Sequence, residues 1–263
     1  MLERMEVLYR TGDESVKPNV STYNSLLTAW ARSNTRCAYS KTQSILKKMW
    51  QLYEAGNETV KPDSHAYNTC ITALSRSHRR DKGQIALRLL RQMDNLYRKG
   101  GKHHKDVRPN EITYTCVLNS CAYSEVDDHY VRQKALDTAI FTLEELMDSP
   151  YGRPNHVTYG MFLACCANLI PSDDEIRRVT IVEPVFAQCC KDGQVNQMVL
   201  NQFRLAAPDD LYEKILGNVI QKKNGIPKKV RVQDLPLEWR CNVRNEKWQG
   251  RQRYTTNRNS YYR

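Results

Sequence analysis

The sequence predicts an all-α chain, a right-handed superhelical α-solenoid of antiparallel helix pairs ending in a mostly irregular basic tail. Three observations carry that prediction. A phrase recurs as VKPNVSTYNSLL, VKPDSHAYNTCI, VRPNEITYTCVL and GRPNHVTYGMFL, with Pro18, Pro62, Pro109 and Pro154 stepping by 44, 47 and 45. Tyr23, Tyr67, Tyr114 and Tyr159 keep the same steps, so the phrase moves as a unit and the variable length lies elsewhere. After each tyrosine the apolar residues fall at i+3, i+4, i+7 and i+8, the stripe of an amphipathic helix.

The elements follow in order. Residues 5–19 (MEVLYRTGDESVKPN) match 49–63 (MWQLYEAGNETVKPD) in Met, Leu-Tyr, Gly and Val-Lys-Pro. Residues 1–19 are therefore expected to be the end of a repeat whose own first helix is missing, as in a fragment of a longer array. The repeat at 20–63 carries its stripe on Leu26, Leu27, Trp30 and Ala31, and that at 64–110 on Cys70, Ile71, Leu74 and Ser75. Those at 111–155 and 156–193 carry it on Val117, Leu118, Cys121 and Ala122, then on Phe162, Leu163, Cys166 and Ala167. In each, the proline enforces an extended approach and a Ser, Thr or Asx can cap the helix.

A second helix follows each time, striped by Ile45, Leu46, Met49 and Leu52, then by Ile85, Leu89, Leu90, Met93 and Leu96. Leu136, Ala139, Ile140, Leu143 and Leu146 serve the third repeat; Val182, Val185, Phe186 and Cys189 serve the fourth, where Pro184 is expected to kink or start the helix. One such pair cannot bury both stripes, whereas stacking on neighbours can. The surplus length is assigned to loops at 34–40, 54–61 and 98–108. Residues 194–220 read as capping helices without the phrase, and 221–263 as a partly disordered tail anchored by Leu235, Leu237, Trp239 and Val243.

The 263 residues carry a net charge of +11, placed unevenly: 221–263 holds 12 Lys/Arg against 3 Asp/Glu. Such a tail suits a polyanion, nucleic acid first, or is simply solvated. No apolar run approaches the ~18 residues of a membrane span, and MLERMEVLYR has neither signal- nor transit-peptide character. The nine cysteines, with no signal, suggest a reducing compartment. Cys70, Cys121 and Cys166 lie on first-helix stripes, and Cys165-Cys166 and Cys189-Cys190 lack the C-x2-C spacing of a zinc site. His103 and His104 read as solvated in a Lys-rich loop. Ser172, Asp173, Asp174 and Glu175 sit at a helix start, where acids favour the dipole, with no nucleophile and base beside them. No cofactor, metal, small-molecule substrate or catalytic activity is expected.

The spacing alone allows HEAT repeats and excludes tetratricopeptide repeats. The phrase itself, Pro-[Asn/Asp], three residues, Tyr-[Asn/Thr], an apolar stripe and a second helix ending Leu-x-x-Met, resembles the pentatricopeptide-repeat family over roughly 5–193. The repeats here are longer than the family's usual ones. The resemblance implies single-stranded RNA binding in a mitochondrion or chloroplast, one base per repeat, alongside other RNA-processing proteins. It pairs the residue after each first-helix Tyr with the residue after the next Pro: Asn24 with Asp63, Asn68 with Asn110, Thr115 with Asn155. By the family's code these favour U, C and A, a core UCA. Gly160 should read nothing, and Asn19 lacks its partner. The resemblance further implies base stacking on Ser21, His65, Ile112 and Val157, and phosphate contacts from Arg32 and Arg76. Cap and turn chemistry also favours Asx after Pro, and Arg32 and Arg76 also read as solvated charge near helix ends. The alternative function is a protein-interaction scaffold using the same concave face.

Overall fold

The structure, a computed structural model, describes residues 2–33, 35–124, 128–219, 222–223, 226–227 and 230–243; the side chains of 101–103, 222–223 and 226–227 lie outside the description. The described residues form eleven α-helices, short 3-10 turns and one two-residue antiparallel ladder, Lys222–Lys223 with Ile226–Pro227. The helices are α1 (Leu2–Arg10), α2 (Val20–Arg32), α3 (Ala38–Glu54), α4 (Ser64–Ser75), α5 (Lys82–Gly100) and α6 (Glu111–Ala122). They continue as α7 (His129–Asp148), α8 (His156–Leu169), α9 (Glu175–Lys191), α10 (Gln197–Ala206) and α11 (Asp209–Leu216).

The repeated phrase makes one local structure four times. Pro18, Pro62, Pro109 and Pro154 are buried, and the Asx after each is extended and caps the following helix. Asn19, Asn110 and Asn155 close capping boxes with Thr22, Thr113 and Thr158, whose hydroxyls accept the cap residue's N–H. Asp63 has Ala66 at that place, so only its own carboxylate caps, 2.9 Å from Ala66 N. Each such cap contributes about 1 kcal/mol. Four residues beyond it the Tyr ring enters the core, at most 2 % exposed in every copy. Its hydroxyl always finds a partner, though a different one: Glu6, Trp50 Nε1, Glu145 and Asp192 in turn. A buried hydroxyl without one would forfeit about 1–3 kcal/mol.

The first helices pack in series, α2 on α4, α4 on α6, α6 on α8 and α8 on α10. Each also packs on its own second helix, and α3, α5 and α7 reach forward to α4, α6 and α8. The result is an all-helical, repeat-like fold in which most stripes are shared between units. The described core falls into two clusters, one around Tyr23, Met49, Tyr67 and Met93 and one running from Tyr39 and Ile71 to Leu235.

Four expectations change. Residues 98–108 are not a loop: α5 runs to Gly100, and a 3-10 stretch at Gly101–Val107 returns the chain with Val107 fully buried. Likewise 54–61 holds the 3-10 turn Glu58–Val60, and α3 begins at Ala38 inside the loop expected at 34–40. Pro184 does not start α9, which begins at Glu175 behind the capping Asp174 and continues through it. Because Pro184 is exposed, water can take up the carbonyl that its missing N–H leaves free.

The helix α10 is more than an end piece, since it occupies the next place in the first-helix series. Asn196 caps it from an extended conformation, as the phrase's Asx does elsewhere, and the fully buried Val195 stands where the proline would be. Of the tail anchors, Leu235 is buried and Trp239 and Val243 are half-buried, but Leu237 is 67 % exposed. Its neighbours in the short turn Leu237–Trp239 face the α9–α10 junction, where Val195 N donates to Trp239 O at 2.8 Å. The remainder of the basic tail, 244–263, lies outside the described residues.

Candidate nucleic-acid interface

The first predicted pair, Asn24 and Asp63, is 39 residues apart in sequence and hydrogen-bonded in space. Asn24 Nδ2 donates to Asp63 Oδ2 at 3.0 Å, while Asp63 Oδ1 accepts from Ala66 N. Asp63 therefore caps α4 with one oxygen and holds Asn24 with the other. Both line an open groove of about 670 Å³, together with Ser21, Thr28, Arg32 and His65. Asn24 Oδ1 is buried with no hydrogen-bond partner. The pair can offer one amide N–H and an ionised carboxylate that only accepts, which suits a base edge presenting an oxygen beside an N–H.

The later pairs differ. Asn68 is 9 % exposed and its Oδ1 is buried without a partner, while Asn110 Oδ1 takes Thr113 N and Oγ1. Thr115 Oγ1 donates to Glu111 O at 2.8 Å and stands 3.0 Å from Thr158 Oγ1. Asn155 Oδ1 accepts from Val157 N, Thr158 N and Thr158 Oγ1. So Asp63, Asn110 and Asn155 all serve as caps, and of the three pairs only the first shows a mutual hydrogen bond.

The fourth position is closed. A Cβ on Gly160 would stand 2.6 Å from Met198 Cε, so α10 seals the place where a reading side chain would emerge. The residues two before each Tyr, namely Ser21, His65, Ile112 and Val157, are all exposed, Ile112 by 55 % and Val157 by 37 %. That leaves apolar surface on helix starts where burial would have been available one residue away. Thr28 Oγ1 lies 3.4 Å from His65 Nε2, linking α2 to α4 beside the groove. Asn19 is exposed and caps α2.

Arg32 is exposed and lines the groove. Arg76 is exposed as well, but its Nη1 donates to Ala31 O at 2.9 Å and so ties α4 to the end of α2. Asn168, in the corresponding place of α8, donates to Ala122 O at 3.0 Å. In α4 and α8 this position thus ties one first helix to the one before it, a role invisible to sequence reading because Arg and Asn share no simple pattern. Asn196 and Met198 were also missed; the signal was an Asx forty-one residues after Asn155 with Val in the proline's place.

The buried cysteines are poor nucleophiles. Cys70, Cys121 and Cys166 are buried, which pushes each thiol up to about 12. Among the described residues no group of three or more His, Cys, Asp and Glu is placed to hold a metal ion, and no helix is long and apolar enough to cross a membrane. No family model, curated protein or solved structure matches the chain significantly.

Proposed function

We propose that the chain is a right-handed superhelical solenoid of pentatricopeptide type, and that its row of first helices binds single-stranded RNA with a core preference for UCA. The observation that carries this reading is the Asn24–Asp63 hydrogen bond inside a groove also lined by Ser21, His65 and Arg32. Capping alone accounts for Asp63 but not for Asn24, which contributes nothing to the α4 N-terminus. The exposed Ile112 and Val157 supply apolar edges against which bases can stack. The closed position at Gly160 ends the track after three bases. Action in organellar RNA processing, stability or translation, within a mitochondrion or chloroplast, belongs to the same proposal.

Asp63→Asn tests it, because Asn can still cap α4 while gaining a donor for the N3 of cytosine. Binding measured across an oligonucleotide panel should show the first base shift from U to C with the other two unchanged. A uniform loss, or no change, overturns base reading. The same exposed Ile112 and Val157 favour the second reading, a peptide-binding scaffold on this face; that reading predicts no base preference at all.

A further inference from the structure

A second cavity, about 470 Å³, lies at the opposite end of the first helices, where each unit turns from its first helix to its second. Arg36, Tyr39, Ser40, Ser77, His78 and Arg79 line it, so it spans the turns of the first and second units. Three features of this place call for an anion. Arg36 makes no hydrogen bond or ion pair among the described residues and is exposed at the cavity edge. Tyr39 is 8 % exposed and lines the cavity, and its hydroxyl, which is not among the buried unpartnered atoms, makes no hydrogen bond to the described residues. Finally, α3 begins at Ala38 with no side-chain cap on its first turn, leaving N–H groups and the positive end of the helix dipole open.

The later units show what is missing. At the matching place Asp128 accepts from Tyr130 N and Val131 N to cap α7, and Asp174 accepts from Arg177 N to cap α9. There the chain supplies its own carboxylate; in the first unit Cys37 stands instead and supplies none. The charges change in step. Residues 32–41 carry Arg32, Arg36 and Lys41 with no acid, whereas the matching ten residues, 168–177, carry Asp173, Asp174 and Glu175 against one base, Arg177. Arg79, which also lines the cavity, is engaged by Asp81 at 3.2 and 3.4 Å. Burial pushes the Tyr39 hydroxyl up.

We propose that this cavity is a phosphate-binding site, with Arg36 as the charged fork, Tyr39 as a hydroxyl donor and the first turn of α3 as the backbone donor. The planar guanidinium suits two phosphate oxygens at once, and an open helix N-terminus suits a third. Arg32 lines the base groove and Arg36 this cavity, one turn of chain apart. A strand lying in the groove can therefore place a backbone phosphate here. Phosphate binding as such is independent of base reading; assigning the phosphate to a bound strand rests on that reading.

The test uses the full chain with Arg36→Gln and Tyr39→Phe. Inorganic phosphate, titrated against chloride at matched ionic strength, should shift the ring resonances of Tyr39 and His78 and saturate. Arg36→Gln should weaken that binding on the order of tenfold and Tyr39→Phe by a few-fold. Both variants should keep the wild-type thermal midpoint, because neither group has an internal partner to lose. With a single-stranded oligonucleotide, Arg36→Gln should lower the salt slope by about 0.7 if the phosphate is the strand's. An unchanged slope with weakened inorganic phosphate binding assigns the site to a free phosphate group. If phosphate perturbs nothing beyond chloride, or Arg36→Gln leaves its affinity unaltered, the site does not exist. Failure of base reading in the Asp63→Asn panel would leave the inorganic phosphate result standing.

Discussion

The two halves of the helical row use the same phrase to opposite ends. Around α2 and α4 the polar residues after Tyr and after Pro meet in an open groove, a guanidinium has no ion-pair partner among the described residues, and one second-helix N-terminus lacks a side-chain cap. Around α8 and α10 the same register is filled from within: Gly160 by Met198, the α9 N-terminus by Asp174, and the turn after α9 by the tail segment around Trp239 and Asn242. The aromatic core is denser there too, with Phe186 stacked on Phe203 at 3.8 Å between centroids and Trp239 against the edge. A repeat is thus a scaffold whose pockets exist only where the next unit declines to fill them.

The largest effect should come from opening the filled half. Phe186→Ala removes a fully buried ring from the stack and should cost about 3–5 kcal/mol in denaturant unfolding. A loss below about 1 kcal/mol would mean that the two halves are equally dense. Gly160→Val attacks the same half by overfilling it. With Met198 Cε in the way, it should cost about 1–3 kcal/mol, although Met198 is flexible enough to set the lower figure. The matching change in the open half, Asn24→Val, removes the hydrogen bond to Asp63 at the groove and should lower stability less while abolishing selectivity at the first base.

Caps give a smaller and more discriminating comparison. Asp63→Ala and Asn155→Ala should each lose about 1 kcal/mol of stability; the first should also free Asn24 and relax selection at the U site, the second relax it at the A site. Loss of stability with base preference unchanged, in an oligonucleotide panel, would reduce that pair to a cap. The smallest effect concerns Glu6, which takes hydrogen bonds from Lys48 and Tyr23. Burial raises its carboxyl, yet those hydrogen bonds and the nearby charges outweigh it and leave the group below its ordinary 4.5. A folded-state value below the unfolded one stabilises the fold above that ordinary value, and the gain disappears as pH falls through the lowered one. Glu6→Gln should flatten this acid limb by under about 1 kcal/mol, since the site is partly solvated, and leave α8–α11 unaffected by hydrogen exchange.

How much of this was legible in residues alone varies by kind of interaction. First-helix positions, caps and buried tyrosines were readable because each depends on neighbours within eight residues in sequence. The segment 98–108 was misread for the opposite reason: its polar, Gly-containing composition signals a loop, and only Val107 docking into the core makes a 3-10 return worthwhile. The role of α10 was hidden by one substitution, Val195 for proline, which keeps the burial and loses the motif.

By itself, then, the sequence determined the helices, their caps and their order, since 3.6-residue periodicity and Asx capping are local physics. Tertiary structure alone decided which polar pairs touch. Asn24 reaches Asp63 because α2 and α4 pack side by side, whereas Thr115 turns to Thr158 and Gly160 meets Met198. Those outcomes depend on ångström-scale placement between helices forty residues apart, to which a repeat's spacing is blind.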